Sequence, residues 1–386
     1  MAVGAGCRRR VGVHLGGADT PRRAVVTPLA RVIAEQIETT GPMPVARFME
    51  LALNHPQFGY YRTRDPLGAA GDFITAPETS QMFGEMIGLW SAVAWEALGA
   101  PTPFTLAELG PGHGTLMADA LRAGRTKPGF VEAARLHLVE TSPRLRARQA
   151  ETLGGFDPVF HDDVAGLPDG PLIVLANEFF DALPVRQLVA TEGGWAERCI
   201  DRQPGGDGGF TFTMGDQAPV ADLPPIAAPG AAPGTIFEVS PAAQAVAGEL
   251  GGRCARAPGA VLIIDYGHAA VAMGETLQAV RGHRYADPLS DPGTADLTAH
   301  VDFGALGRCA RDAGATVFGP IGQGRFLLSL GIAARAKRLM AAASAQQADD
   351  IEAAFQRLLA PSEMGNLFKV MALASPDAEA LPGFTA

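Results

Sequence analysis

The sequence predicts an α/β protein with a doubly wound, mostly parallel sheet, an N-terminal helical region and an inserted β-rich segment. Two observations predict the sheet. From Phe104 onward, short apolar runs alternate with helical patterns, and the first run leads directly into a glycine-rich turn. Short buried strands that alternate with helices are typical of parallel sheets covered on both faces. Between residues 190 and 235 a stretch rich in Gly, Pro and Asp interrupts this rhythm, which predicts an insertion that carries a hairpin.

The N-terminal region should contain three helices. Thr27 is a suitable N-cap, Pro28 suits the first helical position, and Gly41 suits the end of the first helix. A second helix is expected from Pro44, and a long helix from about residue 78 to residue 98.

In the core, apolar runs predict strands at 104–109, 136–139, 172–176 and 261–264, with helices at 116–122, 143–153 and 303–313. Strands are also expected at about 188–189 and 210–214, within the insertion. After Gly324 the sequence reads helical as far as Met340 and then trails off. We therefore divide the chain into a disordered leader (1–27), an N-terminal helical or lid region (28–100), a core (101–330) with an insertion at about 190–256, and a C-terminal helical segment and tail (331–386).

Composition excludes several classes of protein. The chain has 386 residues, of which 47% are hydrophobic and 19% charged, so it is neither disordered as a whole nor collagen-like. The net charge of -10 argues against a nucleic-acid binder. The apolar runs are too short for a membrane span. Four widely separated cysteines without a C-x-x-C pair fit a reducing compartment and give no zinc or disulfide framework.

The most informative stretch is ELGPGHGTLM at residues 108–117, a strand that runs into a glycine turn and then a helix. A dinucleotide-binding loop requires G-x-G-x-x-G, but Gly110, Gly112 and Gly114 are followed by Thr115 at the required position. Glu108 lies two residues before the first glycine. This pattern suits S-adenosylmethionine better, because that ligand has a cationic ammonium group and no phosphate. A glycine-rich turn without a ligand is the alternative.

Acidic residues follow the next two strands. Glu140 ends the second strand, where a carboxylate can accept hydrogen bonds from both hydroxyl groups of a ribose. Asp162 and Asp163 follow the third strand, where either could accept from an adenine amino group. A surface glutamate and a turn-forming aspartate are the alternatives.

The loop after the fourth strand reads NEFFDALP at residues 177–184. Ligands of open α/β sheets bind beyond the carboxyl ends of the strands, so this loop should face the reacting groups. Glu178 and Asp181 could clamp a cationic substrate such as a guanidinium, and Phe179 and Phe180 could exclude water or contact the cation. Alternatively, the Phe pair belongs to the core and Asp181 caps a helix. We assign Glu178, Asp181 and Asn177 to catalysis, and Asn177 also to the cofactor.

The sequence resembles the MidA family, which includes a mitochondrial complex I assembly factor that acts as a protein arginine methyltransferase. The resemblance covers roughly residues 28–375. The motifs that carry it are GDFITAPE at 71–78, 80–85, ELGPGHGTLM at 108–117, 138–140 with 142–143, NEFFDALP at 177–184, IDYG at 264–267, 276–280, DLTAHVDF at 296–303 and 365–370. Two departures stand out: His113 occupies a position where the family usually has Arg, and Phe160 one where bacterial relatives often have Trp.

The resemblance implies a Rossmann-like class I methyltransferase fold with S-adenosyl-L-methionine as cofactor. It also implies symmetric dimethylation of an arginine in a hydrophilic-arm subunit of respiratory complex I. Gly71, Asp72 and Phe73 are then expected in a lid, and His300 in the substrate cleft. The cluster that includes Asp296 and His300 could suggest a metal site, but its spacing lacks a helical His pair, and we expect no metal.

These observations predict a methyltransferase whose partner is a protein, with no nucleic acid and no membrane span. A non-catalytic complex I assembly factor that retains the cofactor pocket is the alternative, and an NAD-dependent oxidoreductase is a third possibility that Thr115 disfavours. We expect the chain in the cytoplasm if it is bacterial, or in the mitochondrial matrix if it is eukaryotic.

Overall fold

The computed structural model describes residues 27–64, 75–205, 208–218 and 231–384. The expected leader and the lid residues Gly71, Asp72 and Phe73 lie outside this part of the chain, apart from Thr27. No helix of the described residues is long and apolar enough to span a membrane.

The N-terminal region is helical, as the sequence predicts. Its elements are α1 (Pro28–Thr40), β1 (Met43–Pro44), α2 (Val45–Asn54), α3 (Tyr60–Thr63), α4 (Ala76–Thr79) and α5 (Gln81–Ala97). The Thr27 hydroxyl accepts a hydrogen bond from the backbone N–H of Ala30, and the N–H of Gly41 donates to the carbonyl of Ile37, so both predicted ends of α1 are confirmed. The long helix begins at residue 81 rather than 78, because Ser80 caps it and the preceding turn is separate.

The first half of the core alternates strands and helices. Its elements are β2 (Phe104–Leu109), α6 (Thr115–Gly124), α7 (Phe130–Ala133), β3 (Ala134–Val139), α8 (Pro143–Thr152), β4 (Val159–His161) and β5 (Leu172–Asn177). The inserted segment follows with β6 (Arg186–Thr191), β7 (Gly194–Arg202), β8 (Phe210–Gln217) and β9 (Ile236–Val239).

The second half of the chain returns to the core. Its elements are α9 (Pro241–Arg256), β10 (Gly259–His268), β11 (Gln278–Arg281), β12 (Arg284–Ala286), β13 (Asp296–Thr298), β14 (Val301–Asp302), α10 (Phe303–Asp312), β15 (Thr316–Gly322), α11 (Gln323–Ser329), α12 (Ile332–Met340), α13 (Ala345–Leu359), α14 (Met364–Leu367) and β16 (Phe368–Ala374).

The central sheet has the strand order β15-β16-β10-β5-β2-β3-β4, with β14 paired to β10. Strands β4, β3, β2, β5 and β10 are mutually parallel. Strand β16 is antiparallel to β10, and β15 is antiparallel to β16. Large apolar clusters cover both of its faces. The predicted α/β class with a mostly parallel sheet is therefore confirmed.

The C-terminal segment differs from the expectation. The chain does not trail off after Met340, because α13 follows and β16 enters the central sheet between β10 and β15. Nearly all of β16 is buried. Its sequence, FKVMALA, carries the Met and Ala residues that helices also favour, so periodicity alone does not identify it as a strand.

The inserted strands form a separate antiparallel sheet. Its order is β1-β7-β6-β9, and β8 pairs with β7. The two strands expected in the insertion are confirmed, but both pair with β7, which the sequence reading missed. Strand β1 joins this sheet through Met43 opposite Ile200, so the N-terminal region and the insertion form one body. A third sheet, β12-β11-β13, packs against the same body through Leu297.

Candidate active site

A cavity of about 510 Å³ lies beyond the carboxyl ends of β2, β3 and β5. Its lining combines the glycine loop, the loop after β5, and residues of α3, α4 and β13. This is the edge of a doubly wound sheet at which ligands bind. The structure thus brings all of the predicted cofactor and catalytic residues except Gly114 to the lining of one cavity.

The glycine loop adopts a backbone that only glycine adopts readily. Gly110, Gly112 and Gly114 have φ of 61°, 56° and 82°. A Cβ atom on Gly110 would come within 3.1 Å of Cδ2 of Phe179. The loop leads into α6 with Gly114 at its N-cap, so backbone N–H groups and open space meet at the cavity. These features fit a ligand that approaches the backbone closely.

Glu108 presents a buried carboxyl group to the cavity. Its Oε2 has no hydrogen-bond partner among the described residues. Burial raises the pKa of Glu108 to about 8, although a hydrogen bond with the backbone of Met117 lowers it. An unpaired buried carboxyl oxygen is costly, and a cationic group bound beside it offsets that cost. The residue therefore fits the ammonium group of S-adenosylmethionine.

Glu140 is held in place after β3. Its Oε1 accepts the backbone N–H of Ser142 at 2.7 Å, and its Oε2 accepts from Nε2 of Gln149 at 3.3 Å. The same Gln149 nitrogen donates to the carbonyl of Gly112 at 2.7 Å. Burial raises the pKa of Glu140. Gln149 thus ties the predicted ribose acceptor to the glycine loop, a role that the sequence reading missed because α8 is a separate element.

Asp162 and Asp163 both line the cavity, but their side chains already have partners. The carboxylate of Asp163 accepts the backbone N–H of Gly166 at 2.9 Å, which is the turn-forming alternative. The carboxylate of Asp162 pairs with Arg146 at 2.7 Å and is largely exposed. A contact of either residue with an adenine amino group stays a prediction.

Glu178 follows β5 and points into the cavity. Its backbone has φ of 51°, and its N–H donates to the carbonyl of Ile264. Its Oε1 accepts from the backbone N–H of Ala76 at 3.2 Å and from Nδ2 of Asn177 at 3.1 Å. Burial and the charge of Asp181 raise the pKa of Glu178 to about 7. The Oδ1 atom of Asn177 is buried without a hydrogen-bond partner among the described residues.

Asp181 lies in the same wall of the cavity. Its side chain accepts a hydrogen bond from the phenol of Tyr266, and burial raises its pKa to about 6. The alternative that Asp181 caps a helix is wrong, because the described chain after it turns and enters β6 without a helix.

The two phenylalanines have different positions. Phe179 lines the cavity beside Gly110, whereas Phe180 is only 2% exposed and belongs to the apolar core. Their rings meet edge to face, with centroids 5.3 Å apart. The expectation that Phe180 faces the substrate is therefore wrong, because the side chain of Phe180 packs into an apolar cluster of the core.

His300 is not part of the cavity lining. Its ring packs edge to face against Tyr266, with centroids 5.6 Å apart, and burial and His268 lower its pKa. The expectation that His300 lies in the substrate cleft is therefore wrong, because its ring packs against Tyr266 and does not line the cavity.

The short helix α4 closes one side of the cavity. Besides the bond from Ala76 to Glu178, the hydroxyl of Thr115 donates to Oε1 of Glu78 at 2.7 Å. Nδ1 of His113 lies 3.6 Å from the same oxygen. This part of the GDFITAPE motif therefore bridges the glycine loop and the loop after β5, and the lid role of Gly71, Asp72 and Phe73 stays a prediction.

Sequence reasoning assigned no role to Tyr61 or Tyr266, and both lie in the cavity wall. Asp296, which belongs to the DLTAHVDF motif, lines the cavity as well. These three residues belong to α3, β10 and β13, and only the fold brings them together. In the described ranges, no group of three or more His, Cys, Asp and Glu could hold a metal ion. Asp302 instead caps α10, as its position before Phe303 predicts.

The fold and this site define a class of protein. The sequence profile of a family of S-adenosyl-L-methionine-dependent methyltransferases matches residues 86–321, and the chain belongs to this family. It is therefore an S-adenosyl-L-methionine-dependent methyltransferase, and the resemblance to the MidA family is confirmed.

Named relatives and a solved structure agree with this class. The protein arginine methyltransferase NDUFAF7 homolog, mitochondrial, of Drosophila melanogaster is 38% identical over 376 residues, or 89% of this chain and 84% of the relative. The Homo sapiens protein arginine methyltransferase NDUFAF7, mitochondrial, is 35% identical, covering 94% and 87%. The crystal structure of a COG1565 superfamily member from Burkholderia thailandensis, bound to S-adenosyl-homocysteine, is 32% identical with a TM-score of 0.80, and the match covers 92% of this chain and 94% of that one.

Proposed function

We propose that the chain transfers the methyl group to the guanidinium of an arginine in a protein, and that this protein is a hydrophilic-arm subunit of respiratory complex I. The observation that carries the arginine assignment is the pair of buried carboxyl groups, Glu178 and Asp181, in one wall of the cavity. The names of the relatives support arginine as the acceptor. The MidA resemblance supports complex I and symmetric dimethylation. We expect the reaction in the cytoplasm if the chain is bacterial and in the mitochondrial matrix if it is eukaryotic.

Several residues are arranged to hold the cofactor. Glu108 faces its ammonium group and Glu140 its ribose, and Gly110 and Gly112 bring the backbone of the glycine loop to the cavity. Gly114 supplies the positive φ at which the loop enters α6. When bound, the cofactor supplies an electrophilic methyl group on a sulfonium sulfur.

Glu178 has the chemistry to prepare the acceptor nitrogen. A guanidinium stays protonated in water, so its charge must be localised and one proton must leave when an N–H is replaced by N–CH₃. Both donors to Oε1 of Glu178 are neutral, the N–H of Ala76 and the amide of Asn177. They orient the carboxylate without neutralising it, so it can bind the guanidinium and take up that proton.

The cavity wall also excludes water from the acceptor. Phe179 covers the glycine loop, and Ala76, which is fully buried, lies against Glu178. Water exclusion strengthens the attraction between carboxylate and guanidinium.

The test compares Glu178→Gln with wild type. In this isosteric variant, the rate of methyl transfer from labelled cofactor to complex I subunits should fall at least about 100-fold. Removal of a group that stabilises the transition state lowers the rate by this order of magnitude. Its affinity for S-adenosylmethionine, measured by calorimetry, should stay within about threefold of wild type. Glu352→Gln, on the exposed face of α13, is the matched control and should behave as wild type.

Retained transfer in Glu178→Gln would remove the assigned role. Cofactor binding without any transfer by the wild-type chain would favour the assembly factor that retains a pocket. Binding of NAD in place of S-adenosylmethionine would favour the oxidoreductase.

A further inference from the structure

A hydrogen-bonded pair of polar side chains from outside the Rossmann-like core also lines the cavity. The phenol of Tyr61, on α3, donates to Oδ1 of Asp296, on β13, at 2.9 Å. The two residues are 235 positions apart in the sequence, and both line the cavity. Asp296 is only 6% exposed.

Packing fixes this pair in place. Tyr60, next to Tyr61, is fully buried in the apolar cluster of the N-terminal region, and its ring meets that of Tyr61 with centroids 5.3 Å apart. Along β13 the side chains alternate, so Leu297 enters the same apolar cluster while Asp296 and Thr298 face the cavity. The pair is therefore a rigid part of the wall.

Hydrogen bonds link β13, the strand that carries Asp296, to Asp181 of the proposed active site. Thr298 donates to the phenol of Tyr266, which in turn donates to Asp181. Burial, Asp296 and Asp181 all raise the pKa of Tyr61, so its phenol lies near both carboxylates. Asp296, Asp181 and Glu178 line the same cavity, and a bound cation stabilises the ionised form of carboxyl groups in a buried site.

We propose that Asp296, oriented by Tyr61, is a further carboxylate that binds the substrate cation together with Glu178 and Asp181, and so makes the cavity selective for arginine over lysine. This inference rests on the proposed function. A guanidinium has five N–H donors in a planar fork and can reach several carboxylates at once. An ammonium group is a compact point charge that cannot span them.

The test uses Asp296→Asn and Tyr61→Phe in the full-length chain. The acceptor is an arginine peptide of a complex I subunit that the wild-type chain methylates, compared with the same peptide carrying lysine instead. Asp296→Asn should raise the KM for the arginine peptide about tenfold or more, with a smaller change in kcat. Tyr61→Phe should raise it by roughly threefold, because it removes one orienting hydrogen bond. The preference for arginine over lysine should fall in both variants.

Two measurements separate this role from a structural one. Calorimetry should show that both variants bind S-adenosyl-homocysteine within about twofold of wild type. The affinity of the preformed complex for the arginine peptide should fall as the KM rises. Tyr285→Phe is the matched control, because this phenol lies on β12 of the same small sheet and is 82% exposed. It should change neither quantity.

The outcomes are distinguishable. If the wild-type chain neither binds nor methylates any arginine peptide, the proposed function fails and this inference fails with it. If wild type is active and Asp296→Asn keeps both its KM and its preference for arginine, the inference alone is overturned. Loss of S-adenosyl-homocysteine binding in both variants would show that Tyr61 and Asp296 maintain the fold, and it would also overturn the inference.

Discussion

The carboxylate of Asp265 accepts the backbone N–H of Phe180, with 2.9 Å between oxygen and nitrogen. The same oxygen accepts the N–H of Asp181 at 3.2 Å, and the other oxygen accepts the N–H of Tyr266 at 2.9 Å. Asp265 is 1% exposed and lies on β10, beside β5. One buried side chain of a neighbouring strand therefore holds the loop that carries Glu178 and Asp181.

Asp265→Asn should destabilise the protein and its site together. The amide keeps one acceptor oxygen but turns a nitrogen toward backbone N–H groups, which leaves buried donors unpaired. The free energy of unfolding, measured with urea, should fall by about 1–3 kcal/mol, and methyl transfer should fall with it. Asp302→Asn is the control, because Asn caps a helix such as α10 as well as Asp does. Equal stability of the two variants would contradict this role of Asp265.

Gly110→Ala should weaken cofactor binding while the fold survives. Its φ of 61° disfavours a Cβ atom, and that atom would lie 3.1 Å from Phe179 in the wall of the cavity. We expect the affinity for S-adenosylmethionine, measured by calorimetry, to fall at least about tenfold. Gly155→Ala is the control, because a Cβ atom there meets nothing within 4 Å and its φ is not positive. Unchanged affinity in Gly110→Ala would show that the cofactor does not approach this loop.

Methyl transfer should depend on pH through Glu178. Burial and Asp181 raise its pKa to about 7, and only the ionised carboxylate binds a guanidinium and accepts its proton. The value of kcat/KM should therefore rise between about pH 6 and pH 8 and level off above that range, as expected for a group with this pKa. Glu178→Asp should keep some activity, since the carboxylate remains, and its profile of kcat/KM against pH should be displaced along the pH axis. A flat wild-type profile across this range would contradict ionisation of Glu178 as the controlling step.

The sequence predicts those parts of the site whose residues are adjacent along the chain. The glycine loop is recognisable because Gly110, Gly112 and Gly114 occupy three nearby positions, and each has the positive φ that calls for glycine. Glu140 and Glu178 are recognisable because each directly follows a strand of the parallel sheet.

The remainder depends on contacts that local patterns do not encode. Tyr61 and Asp296 meet only because α3 and β13 pack into one apolar cluster. Phe180 was expected at the cavity, but whether a loop side chain faces the core or the ligand depends on how Asp265 holds the backbone. Strand β16 lies near the C-terminal end of the chain, so the periodicity of the sequence does not predict that it pairs with β10.

Glu108→Gln should change stability in a pH-dependent way. In the folded protein without ligand, burial raises the pKa of Glu108 to about 8, above its ordinary value of 4.5, so the neutral form predominates at pH 7. A raised pKa means that folding favours the neutral acid. The wild-type chain therefore loses stability as the pH rises from about 4.5 through about 8, by roughly 3–5 kcal/mol in total.

Glutamine has no proton to lose, so the variant should escape this loss. Thermal melting without ligand should give similar Tm values for wild type and Glu108→Gln at pH 5, and a higher Tm for the variant at pH 9. The same variant should bind S-adenosylmethionine about tenfold more weakly, because a charged partner of the ammonium group is gone. A cation that binds beside Glu108 favours the ionised form, so wild-type binding at pH 7 should release a proton, seen as a heat that depends on the buffer. That dependence should shrink in Glu108→Gln, and an unchanged proton release would place the ammonium group away from Glu108.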